Sequence, residues 1–375
     1  MILGILKEPD FENRVSLLPE GVVELLKFKV QTLVEQGAGE RAYASDEDYL
    51  SAGAEVISRK EIYNRAEVVL VIHAPDTEFE KLKPEQVLIS VINPMMDTDL
   101  VSKLTKLGKT VFSLDIIPRT TRAQAMDILS SMATVSGYKA VLDAAGQLPH
   151  FFPMFMSAAG TIKPAKVLIL GAGVAGLQAI ATSRKLGAVV EVFDVRSAVR
   201  EEVKSLGGKF IEVEGAKEDA AAGGYAVEQT EDFKQKQRQL IHDHAVKSDI
   251  IICTAQIPGR KAPLLLQKDT VENMRAGSVV IDLAASTGGN CEVTQDGKTI
   301  IHKGIKIIGK SDYPSDLPSD ASKMFGKNVI NFTKLLVSKE GALTLDFNDD
   351  IVKGTCVCHA GEIMSDRIKS IIQNK

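Results

Sequence analysis

Disulfide-forming capacity is the first thing this sequence lacks. Its four cysteines, Cys253, Cys291, Cys356 and Cys358, are too few and too unevenly spaced to staple a chain of 375 residues. A secreted disulfide framework is excluded, and a reducing cytoplasm fits best. Cys356-Val357-Cys358-His359 looks like half of a zinc pattern. No second Cys/His pair at ligand spacing accompanies it, so ordinary strand residues are expected and no metal. Long apolar runs are missing too: nothing reaches the ~18 residues that a spanning helix requires. The amino end, Met1 to Glu8, reads as a first strand and not as a signal peptide, so the chain is expected to be soluble, with no membrane span of its own. Excess positive charge is absent, with a formal net charge of -4 and an isoelectric point near 6.0. That leaves no footprint for nucleic acid or for an anionic membrane.

What is present is a globular composition, 45% hydrophobic and 25% charged, on a chain longer than one core usually supports. Two domains are expected, one of them discontinuous. Apolar segments of strand length lie at Glu67 to Ile72, Gln86 to Ile92, Thr110 to Leu114, Val167 to Leu170, Val189 to Phe193, Ile250 to Cys253 and Val279 to Leu283. Amphipathic stretches of helical length separate them. This alternation predicts an α/β fold with two doubly wound parallel-sheet domains, and ligands bound where loops leave the carboxyl ends of the strands. The boundaries fall at residues 1–130 plus 320–375 for the first domain and 131–319 for the second.

Several elements are predicted from pattern. A long helix is expected from Arg122, with Leu129, Met132, Ala133, Ser136, Gly137, Ala140 and Val141 on one face, whose small residues suggest close packing. Gln124, Asp127 and Ser131 fall on the opposite face, with Ser130 at the border. A second helix is expected over Ser319 to Val337, after a Pro-rich loop that crosses back to the first domain. Short closing strands follow near Leu343 to Phe347 and Ile351 to Cys358, and then a tail after Met364 polar enough to fray. Glu212 to Glu231, with Tyr225 among small residues, matches neither period and suits either a lid or a solvated insertion.

The motif that carries chemistry follows the strand Lys166 to Leu170 directly: Gly171-Ala172-Gly173-Val174-Ala175-Gly176, opening a helix. In that context GxGxxG is informative. Gly171 allows the tight turn, Gly173 lets the backbone approach a pyrophosphate, and Gly176 lets the helix pack closely on the strand. Val174 and Ala175 sit at the helix amino end that favours negative charge. The next strand ends in Asp194, about twenty residues on, where an acid accepts hydrogen bonds from the adenosine ribose and repels a 2′-phosphate. NAD(H) is therefore favoured in a Rossmann domain, although Arg196, two residues on, is able in principle to receive that phosphate. The bland alternative is a Gly-rich turn that binds no nucleotide. A second constellation, Pro118 to Ser130, is explained largely by capping, with Thr121 as cap and Gln124 completing a box. That account leaves Arg119 without a job. The six histidines form no constellation: His242 and His244 suit a solvated helix face, and only His73, at a strand end, stands where a ligand might bind.

Three segments together resemble domain I of the proton-translocating NAD(P) transhydrogenases: RTTRAQAMDILSSMATVSGYKAV, FFPMFMSAAGTIKPAKVLILGAGVAGLQAIATSRKLGAVVEVFDVR and AGGYA. The resemblance runs from Lys7-Glu8 and Glu12 to Val15 through Gly354-Thr355-Cys356. It implies an enzyme component that binds NAD(H), with NADP(H) on a partner domain III and proton passage through a membrane domain II. Hydride would pass directly between nicotinamides, with no acid/base residue needed. It further implies that Arg119, Asp127 and Ser130 hold the nicotinamide carboxamide and its neighbours. Gln124 would reach the partner's NADP(H) ribose, and Tyr225 would belong to a mobile loop that closes on nucleotide. A homodimer is implied, peripheral to the cytoplasmic face of the membrane through its partners. The chain would be either a naturally separate subunit or a trimmed piece of a larger one. Alanine dehydrogenase shares the fold. Its substrate arginine aligns with Arg14, but its lysine and histidine positions hold His73 and Asn93, which argues against amino-acid oxidation. A non-catalytic NAD-binding sensor is the third reading.

Overall fold

The computed structural model describes residues 1–74, 77, 79–213 and 230–373. It divides into two compact units, residues 1–132 with 314–375 and residues 133–313. Each is an α/β body built on a mostly parallel sheet.

In the first unit the strands are β1 (Ile2–Ile5), β2 (Gln31–Glu35), β3 (Glu55–Ile57), β4 (Val68–Leu70), β5 (Val87–Ser90) and β6 (Thr110–Ser113). Their order is β6-β5-β4-β1-β2-β3, all parallel, with Cys356–His359 added antiparallel to β6 and Glu362–Ile363 beyond it. Successive side chains alternate between two cores, with Leu3, Ile5, Val68, Leu70, Val87 and Ile89 on one face. Val69, Leu88 and Val111 lie on the other. A strand buried on both faces has no polar side, which is why these segments read as continuous apolar runs. The chain winds outward both ways from β1, so the switch point lies between β1 and β4.

The second unit repeats the plan with β7 (Lys166–Leu170), β8 (Val189–Phe193), β9 (Lys209–Ile211), β10 (Ile250–Cys253), β11 (Val279–Asp282), β12 (Thr299–His302) and β13 (Ile305–Gly309). The order is β9-β8-β7-β10-β11-β13-β12, and β12 alone runs antiparallel. Its switch point lies where β7 and β10 part. Two helices matter for the site: α1 (Ile128–Gln147) and α2 (Val174–Lys185), which follows β7. Gly137 of α1 lies so close to α2 that an added Cβ would stand 2.1 Å from the Ala175 carbonyl oxygen. The small-residue face thus packs as expected.

Five expectations are corrected. The helix does not start at Arg122: Thr121–Met126 is a 3-10 turn, Asp127 is extended, and α1 starts at Ile128. Leu129, placed on the packed face, is exposed. Only an isolated bridge, Val337 to Leu343, forms in the first closing segment. Leu343, Leu345 and Phe347 pack side chains on the core, and the latter two lie in no strand. Asp350–Thr355 is a helix, because the Asp349 carboxylate accepts from the N–H groups of Ile351 (2.8 Å) and Val352 (3.3 Å). The polar tail is also helical, Asp366–Gln373, since Ile368, Ile371 and Ile372 share a face against the core. The helix expected from Ser319 runs Pro318–Thr333 and continues as a 3-10 turn to Leu336.

Candidate functional site

The glycine loop is shaped by three different constraints. Gly171 has φ +107°, and a Cβ there would meet Thr254 Oγ1 at 2.7 Å and the Ala255 nitrogen at 3.1 Å. Backbone conformation and the neighbouring loop after β10 both demand glycine. At Gly176 a Cβ would lie 2.0 Å from the Gly171 carbonyl oxygen, so helix and strand approach too closely for any side chain. Gly173 is the informative one: its φ is -77°, and among the described residues nothing lies within 4 Å of the position a Cβ would take. Neither strain nor crowding requires glycine there, and what the missing side chain leaves is room beside the amino end of α2. Among the described residues no side chain caps that end, so its first-turn N–H groups, Val174 and Ala175 among them, can meet an anion. The donor set fits a pyrophosphate.

Asp194 follows β8 and is 8% exposed. Its Oδ2 accepts from the Ala172 N–H at 2.7 Å, tying the acid to the glycine turn. Arg196 closes on the same carboxylate, Nε to Oδ1 at 2.9 Å and Nη2 to Oδ2 at 2.7 Å. Its guanidinium thus forks on Asp194, which bears directly on the alternative that it receives a 2′-phosphate. These residues line a cavity of about 550 Å³ with Gly171, Gly173, Thr254 to Ile257 and Arg260. It opens at the switch point of the second sheet, where the doubly wound topology puts ligands.

The segment Arg119 to Ser130 lies in the first unit. Asp127, not Thr121, caps α1: its Oδ1 accepts from the Ser130 N–H at 3.0 Å and its Oδ2 from the Ser130 hydroxyl at 2.6 Å. Thr120 stands at the cap position of the 3-10 turn without a side-chain bond, and the expected Thr121/Gln124 box does not form. Gln124 is exposed, Asp127 and Ser130 half-buried. Arg122 is anchored on Asp349 at 2.6 Å and also on Asp350. Tyr225 lies outside the described residues.

A separate charged cluster sits after β1 and β4, at the first unit's own switch point. Arg14 grips Glu12 through Nε (2.9 Å) and Nη2 (2.6 Å), and His73 Nε2 meets the same carboxylate at 3.0 Å. Glu8, 3% exposed, accepts from the N–H groups of Ile72 (2.6 Å) and His73 (3.0 Å). Burial pushes Glu8 up to about 7 against those two bonds. Burial would also raise Glu12, but the bonds from Arg14 and His73 hold it below the ordinary carboxylate range. The remaining histidines are paired elsewhere. His242 meets Thr270 (2.9 Å) and His244 meets Glu191 (2.6 Å), so neither forms the solvated face expected of them.

The carboxyl-terminal domain model of the family described as alanine dehydrogenase/PNT matches residues 140–366, and its amino-terminal domain model matches residues 4–136. The chain belongs to the alanine dehydrogenase/PNT family. Within that family it is 43% identical to the first part of the NAD(P) transhydrogenase subunit alpha of Rhodospirillum rubrum, over 94% of each chain. It is 42% identical to NAD(P) transhydrogenase subunit alpha of Haemophilus influenzae, over 96% of this chain and 71% of that one. A transhydrogenase structure from Sinorhizobium meliloti superposes with a TM-score of 0.88 at 38% identity, covering 97% of this chain and all (100%) of that one. Alanine dehydrogenases are more distant, 26% identical for that of Mycolicibacterium smegmatis. An L-alanine dehydrogenase structure at 23% identity and TM-score 0.82 shares the fold.

In this alanine dehydrogenase/PNT chain, pattern reading missed the residues that brace the cavity-lining Ala255 and Pro263 from behind. Asn290, fully buried, donates through Nδ2 to the carbonyls of Ala255 (2.9 Å) and Pro263 (2.8 Å) and accepts from the Ala255 N–H (3.0 Å). Asp282, at the end of β11, accepts in turn from the N–H groups of Asn290 and Cys291 and from the Thr294 hydroxyl. Burial raises its carboxyl. The available signal was Thr254, the residue that leaves β10 beside the glycine turn.

Proposed function

We propose that this chain is the NAD(H)-binding component of a proton-translocating NAD(P) transhydrogenase. It presents NAD(H) for direct hydride exchange with NADP(H) carried by a partner domain III, and a membrane domain II couples the exchange to proton movement. The observation that carries the reading is Asp194, an acid at the end of the second strand bound to the N–H of the glycine turn. It supports NAD(H) over NADP(H) in a family whose similar members are named NAD(P) transhydrogenase. Bound nicotinamide nucleotides supply the hydride chemistry themselves. What the chain contributes is binding, orientation and exclusion of water.

On this reading the amino end of α2 and Gly173 receive the pyrophosphate, and Asp194 receives the adenosine ribose. Arg119, Asp127 and Ser130 hold the nicotinamide carboxamide. The bond from the Ser130 hydroxyl to Asp127 fixes both side chains before nucleotide arrives. Gln124, exposed, is left to reach the partner's nucleotide. No acid or base is required, because both reacting carbons belong to nucleotides. Amino-acid oxidation is disfavoured because the positions aligned with alanine dehydrogenase's lysine and histidine hold His73 and Asn93. The chain works as a homodimer at the cytoplasmic face of the membrane through its partners.

The test is hydride transfer from NADH to an NADP+ analogue with the chain and a domain III mixed, run beside alanine-plus-NAD+ oxidation by the chain alone. Transfer that requires both proteins is expected. Alanine oxidation by the chain alone would replace the proposal with a dehydrogenase, and binding without either activity would leave an NAD sensor.

A further inference from the structure

Asp194 is saturated with donors. Two are backbone: the Ala172 N–H at 2.7 Å on Oδ2 and the Arg196 N–H at 2.9 Å on Oδ1. Two are the prongs of the Arg196 guanidinium, at 2.9 Å on Oδ1 and 2.7 Å on Oδ2. A carboxylate offers about four acceptor positions, so the backbone pair fixes its orientation and the fork takes what remains. The vicinal diol of a ribose is a two-pronged donor as well, and it needs the same two positions. Both side chains line the one cavity.

We infer that Arg196 is a stand-in for the ribose: its guanidinium occupies the two acceptor positions on Asp194 that the adenosine diol takes, and must release them when NAD(H) binds. The burial of the two partners fits this exchange. The Asp194 side chain is 6% exposed and the Arg196 side chain 26%. A carboxylate that deep is costly to leave unsatisfied, so it needs one fork or the other. The arginine keeps access to water and can be solvated when it turns away. The exchange also explains how an arginine two residues after the acid coexists with an NAD(H) site. It serves Asp194 instead of waiting for a phosphate.

The inference rests on the nucleotide reading above, and the measurement separates the two. NADH is titrated by fluorescence against the full chain and its variants. Arg196→Gln removes the competitor, so the NADH dissociation constant is expected to fall by about two- to fivefold, the worth of one partly exposed charged pair. Arg196→Lys, which cannot fork, is expected to lower it by less. Unchanged or weakened NADH binding in a folded Arg196→Gln chain would overturn the inference, because an arginine that orients Asp194 or touches nucleotide gives that result. If Arg196→Gln does not fold, the same two outcomes are read from Arg196→Lys. Asp194→Asn tests the ribose site itself: it should weaken NADH binding, and unchanged affinity there would remove the site and the inference with it.

Discussion

At the scale of single residues the most unusual group is Glu8, a carboxyl in the first unit's core whose only described donors are two backbone N–H groups. Burial raises it from an ordinary 4.5 to about 7. The folded chain therefore holds this proton more tightly than the unfolded chain does. Glu8 contributes stability that is fully present below pH 4.5 and is lost as pH rises through 7. The full contribution is on the order of 3 kcal/mol. Glu12 runs the opposite way: its lowered carboxyl supports the fold above the ordinary carboxylate range and loses that support as pH falls. Glu8→Gln should flatten the decline of unfolding free energy between pH 5 and pH 8, measured by urea denaturation at each pH. An unaltered slope would mean that another group titrates. Nothing in the pattern around Glu8 announces this, because burial of a charged residue depends on which strand ends meet, and that is a property of the sheet.

At the scale of elements, what was legible and what was not turns on where backbone and side chains compete. Strand β7, the glycine turn and α2 were legible because local geometry requires glycine at Gly171 and Gly176, the outer two of the motif. Fully buried strands such as β10 were legible from their apolar runs. The start of α1 was not, because the helical spacing from Arg122 continues through a 3-10 turn that a periodicity cannot distinguish. Asp127 makes the break by taking its own cap bonds. Asp350–Thr355 was misread for the related reason that Ile351 and Val352 are β-branched and buried, and a cap on Asp349 overrode their strand preference. The cap role and the nucleotide role proposed for Asp127 are separable. Asp127→Ala should cost about 1 kcal/mol in urea unfolding, whereas Asp127→Asn, which also caps, should stay within about 0.5 kcal/mol. Equal losses in both variants would mean that the charge stabilises the fold. An intact Asp127→Asn chain with weakened NADH binding supports its place at the nicotinamide.

At the scale of the whole molecule, the proposed homodimer has a physical correlate in an element no pattern anticipated. Phe155–Ser157 and Gly160–Ile162 form a two-stranded antiparallel sheet joined to neither large sheet. All six of its paired residues are exposed. Phe151 (50% exposed), Met154 (57%), Phe155 (48%), Met156 (73%) and Ile162 (45%) gather there, with Phe151 and Phe155 stacked at 4.6 Å. An isolated hairpin is marginal in water, and five such side chains present roughly 500 Å² of apolar surface, the size at which a patch marks an interaction site. A stable interface needs about 800 Å² from each partner, so the hairpin would supply the apolar centre of one, and a second copy of the chain offers the same surface in return. Phe155→Asp with Met156→Asp places charges at that centre without touching either sheet's core. Sedimentation equilibrium should show the unsubstituted chain as a dimer and the double variant as a folded monomer, with NADH affinity within about twofold because the glycine turn and Asp194 are untouched. A double variant that remains dimeric at micromolar concentration would mean that another surface holds the copies together, and the hairpin would then be free to meet a different partner of the assembly.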